Sequence, residues 1–270
     1  MSVDRAQAII DLSYLPPELS AATRIATRDC LVDKGYPIPF NSGVQPRRSD
    51  VFTGIPGVFY SREDARTGGY ATTSRTSDPI ATYQESLPSD QREKLDLDLL
   101  GDPAAGTVRV DLGGATAVEN TSGCRAEAFV AVFGDVRDAV TINNFETVLN
   151  IQSSSLGQSR TAAVQRALPE YRSCMKQAGY EVATDTLGAE RLAESMFGVY
   201  RNEGEPPNTA EQRLATTDYD CQTQSKVREG LLEVFAAQGG AWVVEHEGEV
   251  QAMQGKVRES MQRARAIIDG

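Results

Sequence analysis

Four cysteines and one histidine are the residues of this 270-residue chain best suited to chemistry. Cys30 and Cys174 each open a similar phrase, Cys30-Leu31-Val32-Asp33-Lys34-Gly35-Tyr36 and Cys174-Met175-Lys176-Gln177-Ala178-Gly179-Tyr180. A second cysteine follows each copy, Cys124 in one case and Cys221 in the other. Four cysteines permit three pairings, and the repeated phrase favours Cys30–Cys124 with Cys174–Cys221. Such bridges persist in oxidising compartments, and each would stabilise the fold by roughly 3 to 5 kcal/mol in the chain-entropy account. Free thiols or a four-cysteine zinc site are weaker readings. No CxxC pair occurs, as a redox motif or close-paired zinc ligands would require.

His246 stands alone, so a two-histidine metal centre or an HExxH site cannot be built, and a triad would depend on one residue of a periodic helix. Asp96-Leu97-Asp98-Leu99-Leu100-Gly101 starts like a calcium loop but has Leu100 at its fifth position and Thr107 at its twelfth. It reads better as a helix end closed by Gly101. Phosphate loops, dinucleotide turns and nucleophile elbows are missing. Carboxylates are plentiful, yet no pair is singled out by spacing. Neither a cofactor nor a metal is therefore expected. Asn120-Thr121-Ser122 matches a glycosylation sequon.

The net charge of −11 argues against nucleic acid and against anionic lipid as partners. No apolar run approaches the ~18 residues a membrane span needs. The opening residues lack the pattern of a signal peptide. The cysteines nevertheless point outside the cytoplasm, through a leader removed from the mature chain.

Helical periodicity accounts for most of the remaining sequence. Helices are expected at 4–12, at 18–34 with Leu19, Ala22, Ala26 and Cys30 on one face, and at 79–87 and 89–100 with Ser89 as N-cap. Others are expected at 122–133, at 143–155, and through Val164, Ala167, Tyr171 and Cys174, with a kink or new start at Pro169. Thr209 and Gln212 form a capping box. Residues 107–112 suit one short strand or a connector. Gly35 and Gly179 each stand where a helix commonly ends in a left-handed residue, so Tyr36 should pack near Leu31 and Tyr180 near Met175. The last helix, 241–268, carries Val243, Val250, Val257 and Ala264 seven apart. That stripe suits packing along its own domain or an intermolecular coiled coil, and it is the candidate homodimer surface.

These elements define an all-α fold of two related helical halves, 1–135 and 136–270, each closed by one disulfide. The first half carries a long irregular insertion at 37–77. Stretches of this length without regular structure often bind. Arg47, Arg48, Phe52, Phe59, Tyr60, Arg62, Arg66 and Tyr70 are its candidate partner surface. Deleting 41–75 is then expected to spare the fold and abolish binding.

The whole chain resembles a family of actinobacterial secreted proteins and lipoproteins that has no assigned activity. The resemblance rests on the Cys-to-Gly-Tyr phrase at 30–36, then Asp78-Pro79 leading through Tyr83, Leu87 and Ser89-Asp90-Gln91 to Leu99-Leu100-Gly101. Gly123-Cys124, Glu127-Ala128, Phe133-Gly134, the second phrase at 174–180, and Ala215 to Cys221 follow in order. The family phrase usually reads Cys-Met, whereas Leu31 stands here, a volume-conserving change. The resemblance implies export and the company of envelope ABC transporters and peptidoglycan-binding proteins. It carries over no catalytic residues. Together these readings point to a non-enzymatic extracytoplasmic protein that binds a protein or cell-wall partner. The alternatives are a carboxylate-dependent hydrolase of cell-wall material and a structural, oligomerising surface protein.

Overall fold

The computed structural model describes residues 15–39, 58–59, 61–70, 72–73, 79–112, 115–145, 162–183, 188–198, 200–201 and 205–270. In chain order these form α1 (Pro17–Asp33), α2 (Arg62–Gly68), β1 (Thr72–Thr73), α3 (Pro79–Ser86) and α4 (Ser89–Leu100). A 3₁₀ turn at Pro103–Ala105 leads to β2 (Thr107–Asp111), β3 (Thr116–Asn120), α5 (Gly123–Phe133) and α6 (Val136–Asn143). Then come α7 (Ala162–Gln177), α8 (Glu190–Phe197), β4 (Tyr200–Arg201), α9 (Thr209–Gln224), α10 (Val227–Glu245) and α11 (Glu247–Asp269). The described chain is thus mostly helical, with two small sheets. The helix expected at 4–12 lies outside the described residues, as do Arg47, Arg48, Phe52 and Tyr60.

Two compact units form, but they do not divide the chain at residue 135. One, the Cys30 unit, takes its described residues from 15–39, 79–145 and 247–270; the other, the Cys174 unit, takes 58–73 and 162–246. Each unit therefore includes a segment that the sequence places beside the other.

In the Cys30 unit, α1, α5 and α11 pack against one another. Its buried face runs through Leu19, Ala22, Ile25 and Leu31, leaving Ala26 and Cys30 half-buried. Tyr36 packs on the cluster of Leu31, Ile38, Ile80, Leu95 and Cys124. Two glycines let α4 and α5 meet closely. Gly101 (φ 78°) ends α4 and Gly123 (φ 85°) opens α5, and a Cβ at Gly101 would stand 2.1 Å from the Ser122 carbonyl oxygen. Only glycine takes this backbone at so close an approach without strain. The Asn120 side-chain amide donates to the Leu100 carbonyl at 2.8 Å, so the sequon asparagine closes the end of α4.

Several expectations need correction here. Residues 107–111 do form a strand, but paired antiparallel with 116–120, from Thr107↔Asn120 to Asp111↔Thr116. An unexpected helix starts at Val136 under an Asp135 cap that accepts from the Asp138 amide and ends at Asn143; of the helix expected at 143–155, residues 146–155 lie outside the described residues. Pro88, not Ser89, stands at the α4 N-cap, and Asn208, not Thr209, caps α9 by accepting from the Ala210 and Glu211 amides. Helix α7 runs through Pro169 without a break.

The expected single helix 241–268 is two helices separated at His246, with Val243 in one unit and Val250 in the other. On α11 the apolar stripe is buried against its own unit, α1 and α5, through Val250, Met253 and Ala264. A homodimer by direct stripe-to-stripe contact is therefore blocked in this arrangement. Lys256 pairs with Asp138, and Arg263 donates to the Val132 and Phe133 carbonyls at the end of α5 at 3.1 and 3.0 Å.

The largest correction concerns the insertion. Val58, Phe59 and Ala65 are fully buried in the Cys174 unit and Tyr70 is nearly so. Ser61 caps α2 by accepting from the Asp64 amide, and α2 packs on α9. The local sequence lacks a helical stripe because seven residues of helix need tertiary contacts to exist at all. Val58, Phe59, Ala65 and Tyr70 are core, so deleting the segment that carries them should unfold the Cys174 unit instead of sparing it. Phe59→Ala is expected to destabilise the protein by roughly 3 to 5 kcal/mol, measured by urea denaturation; a loss below about 1 kcal/mol would restore the surface reading.

Candidate functional site

Both disulfides join the cysteines that the repeated phrase pairs. Cys30 and Cys124 link α1 to α5, with Cα atoms 5.5 Å apart; Cys174 and Cys221 link α7 to α9 at 5.6 Å. The two helix ends carry the same hydrogen bonds. Gly35 N–H donates to the Val32 carbonyl and Tyr36 N–H to Leu31; Gly179 N–H donates to Lys176 and Tyr180 N–H to Met175. This is the Schellman arrangement, and both glycines have φ near 90°.

The most heavily bonded polar group in the described residues is one that sequence reasoning missed. Asp218, on α9, is fully buried. Its carboxylate accepts from four donors: the Tyr70 hydroxyl at 2.5 Å, the Tyr171 hydroxyl at 2.7 Å, the Ala189 amide at 2.9 Å and the Gln222 side-chain amide at 2.9 Å. A second buried acid, Glu211, stands two turns earlier on the same helix and accepts from the Tyr70 N–H at 2.8 Å. Seven residues apart on a helix place both on one face. Tyr70 thus binds both acids, one through its backbone and one through its hydroxyl, and its ring meets that of Phe59 edge-on at 4.9 Å.

Burial pushes the Asp218 carboxyl above the ordinary carboxylate range, while its four donors pull the other way. Burial also raises both tyrosine hydroxyls, helped by the Asp218 charge. A carboxylate that ties two hydroxyls and a loop amide to one helix acts as a staple. Its accepting positions are occupied, so it offers no lone pair to a substrate. A sequence signal was present: Glu211, Leu214, Ala215, Asp218 and Cys221 share one helical stripe. Acids within an apolar stripe must be buried with partners.

A smaller cluster marks the surface of the Cys30 unit. The Tyr36 hydroxyl donates to Asp98 at 2.6 Å, and Lys94 donates to Asp98 at 2.8 Å and to the Tyr36 hydroxyl oxygen at 2.9 Å. These bonds hold the Asp98 carboxyl below its ordinary range, and the same bonds raise the Lys94 ammonium. Burial and Asp98 raise Tyr36. A tyrosine held in its protonated form next to a fixed ion pair ties α4 to the end of α1; it is poorly suited to accept a proton.

The candidate partner surface does not come together as expected. Phe59 and Tyr70 are interior. Arg62 forms a bidentate pair with Asp220, at 2.9 and 3.1 Å, and Arg66 pairs with Glu63; both arginines remain half or more exposed. Among the described residues no group of three His, Cys, Asp or Glu side chains is placed to hold a metal ion, and no helix is long and apolar enough to cross a membrane. No protein-family model, curated protein or solved structure matches the chain.

Asp218→Ala should destabilise the protein by roughly 3 to 5 kcal/mol, because two hydroxyls and two amides lose their acceptor in the interior. Tyr171→Phe, which removes one donor, should cost about 1.5 to 3 kcal/mol. Both are read from urea transitions, and unchanged transitions would show that the cluster is not a staple. Asp98 and Asp218 should respond to pH with opposite sign. Asp98 titrates lower in the folded than in the unfolded state, so its stabilisation is present above the unfolded value and is lost as pH falls through the folded one. Asp218 titrates higher when folded, so its contribution is full below the unfolded value and declines as pH rises through the folded one. The gap in urea midpoint between wild type and Asp98→Asn should accordingly be full above about pH 4 and shrink progressively as pH falls below it. A gap that does not shrink with falling pH would contradict the assignment.

Proposed function

We propose that the chain is a non-enzymatic, extracytoplasmic binding or accessory protein of the cell envelope, built from two duplicated helical units. The observation that carries the reading is the use of Asp218. This fully buried carboxylate is saturated by Tyr70, Tyr171, Ala189 and Gln222. Reactive carboxylates are held with an accessible oxygen or proton, whereas this one is committed to the fold. Two disulfides at matching helix ends support an oxidising compartment. The repeated glycine-tyrosine cap supports duplication.

The chemistry and the resemblance favour a transporter subunit or a peptidoglycan-linked protein as partner. Arg62 and Arg66 are the exposed members of the candidate surface. The test is a pull-down from detergent-solubilised actinobacterial envelope, with oxidised protein as bait and reduced protein as control. Enrichment of one transporter permease or peptidoglycan-binding protein by the oxidised bait alone is expected. Release of soluble fragments from purified cell wall by the protein would overturn the reading in favour of a hydrolase.

A further inference from the structure

The small sheet of the Cys30 unit has two edges of different character. Among the described residues β2 and β3 pair only with each other. Leu112 N–H donates to the Ala115 carbonyl and Thr121 N–H to the Gly106 carbonyl, one at each end of the ladder. Bonded and non-bonded pairs alternate along an antiparallel ladder. Thr107↔Asn120, Arg109↔Val118 and Asp111↔Thr116 are therefore the non-bonded pairs, whose backbone groups turn away from the neighbouring strand. The outer edge of β2 is guarded. The Arg109 carbonyl accepts from the Arg137 guanidinium at 3.0 Å, and the exposed side chains of Arg109 and Asp111 carry charge. Charged side chains are a usual protection of a sheet edge.

β3 carries no such guard. Thr116, Val118 and Asn120 turn their backbone groups outward, and Val118 is 47% exposed. The strand has neither lysine nor proline, and its one charge, Glu119, is neutralised by Arg125, which donates to both carboxylate oxygens at 2.5 and 2.6 Å. The inner face of the sheet is already covered, since Val108, Val110 and Ala117 pack with Ala126, Val136 and Val140 of α5 and α6. The Asn120 side chain ties the end of the strand to α4. β3 is thus held extended with its edge open, the arrangement that accepts a further strand. We propose that it pairs antiparallel with β3 of a second copy of this chain, about a two-fold axis through Val118. Val118 then faces its own counterpart, and Thr116 of each copy faces Asn120 of the other, so these pairs are all neutral. Glu119 of each copy falls opposite Ala117 of the other. Moving the axis to Glu119 would set two carboxylates opposite each other, which is unfavourable. About six backbone hydrogen bonds form, and the sheet becomes four-stranded in the order β2-β3-β3-β2. With the β2 edge guarded, addition stops at two copies and does not run on into a filament. The contact is narrower than a permanent interface, so the dimer depends on concentration. The stripe of α11 takes no part and stays buried in its own unit.

Light scattering over rising protein concentration tests the pairing. The wild type should move from the monomer mass towards twice that mass. Val118→Lys and Val118→Glu should each weaken association by about tenfold or more, because each opposes like charges across the axis. An equimolar mixture of the two at low salt should recover it, since only the mixed dimer sets opposite charges together. Both substitutions lie on the exposed face and leave the bonds to β2 intact, so thermal transitions of dilute protein should be unchanged. Should either variant fail to fold, hydrogen exchange on the wild type decides the same question. The amides of Thr116, Val118 and Asn120 should gain protection as concentration rises, while that of Arg109 should not. A wild type that stays monomeric at every concentration overturns the proposal and assigns the edge to a strand of a different protein. A dimer indifferent to Val118→Lys, a mixture that associates no better than its components, or unchanged protection along β3 also overturns it.

Discussion

A disulfide placed five residues before a left-handed glycine constrains a helix twice. It binds the helix to a neighbour and, with the two backbone bonds of the glycine-tyrosine cap, fixes where it stops. Both units depend on this pairing: Cys30 with Gly35 on α1, and Cys174 with Gly179 on α7. The loops closed are long, 94 and 47 residues, so each bridge removes much of the freedom of the unfolded chain, by roughly 4 to 5 kcal/mol in the entropic account. The remaining helices then assemble on a pair already set in register.

Within the Cys174 unit a second constraint works against the hydrophobic grain. Burying Asp218 and Glu211 among apolar neighbours is unfavourable unless each oxygen is satisfied. Tyr70, Tyr171, the Ala189 amide and Gln222 do this, and in doing so they fix the position of the segment at 58–70. A polar cluster of this kind specifies one arrangement, because any slip leaves buried donors unpaired. Specificity and solvation are here one requirement.

The elements legible in the sequence are those encoded locally. α1, α4, α5 and α7 combine a helical period with a glycine stop, and the cysteine pairing followed from the repeated phrase. What stayed hidden depends on distant partners. α2 is a short helix that exists through its contact with α9, so the segment around it looked irregular. Phe59 and Tyr70 looked like surface aromatics because the acids that receive Tyr70 lie 141 and 148 residues away. β3 was missed although Gly113-Gly114 between two β-prone runs is a hairpin signal. The break at His246 was overlooked although Gly248 stands two residues on and acidic Glu247 and Glu249 open the next helix. Asp218 and Glu211 were legible in principle, as acids within a stripe that also holds Leu214 and Cys221.

The interleaving of the two units also sets an order in time. α1 leads the described chain, yet part of its partner surface, α11, is encoded last. A chain threaded outward from its beginning therefore presents Leu19, Ala22 and Ile25 long before Val250, Met253 and Ala264 arrive to cover them. The Cys30 unit can close its disulfide with α5 but cannot complete its core until nearly the whole polypeptide has emerged. The period between those two events is when a chaperone has most to protect.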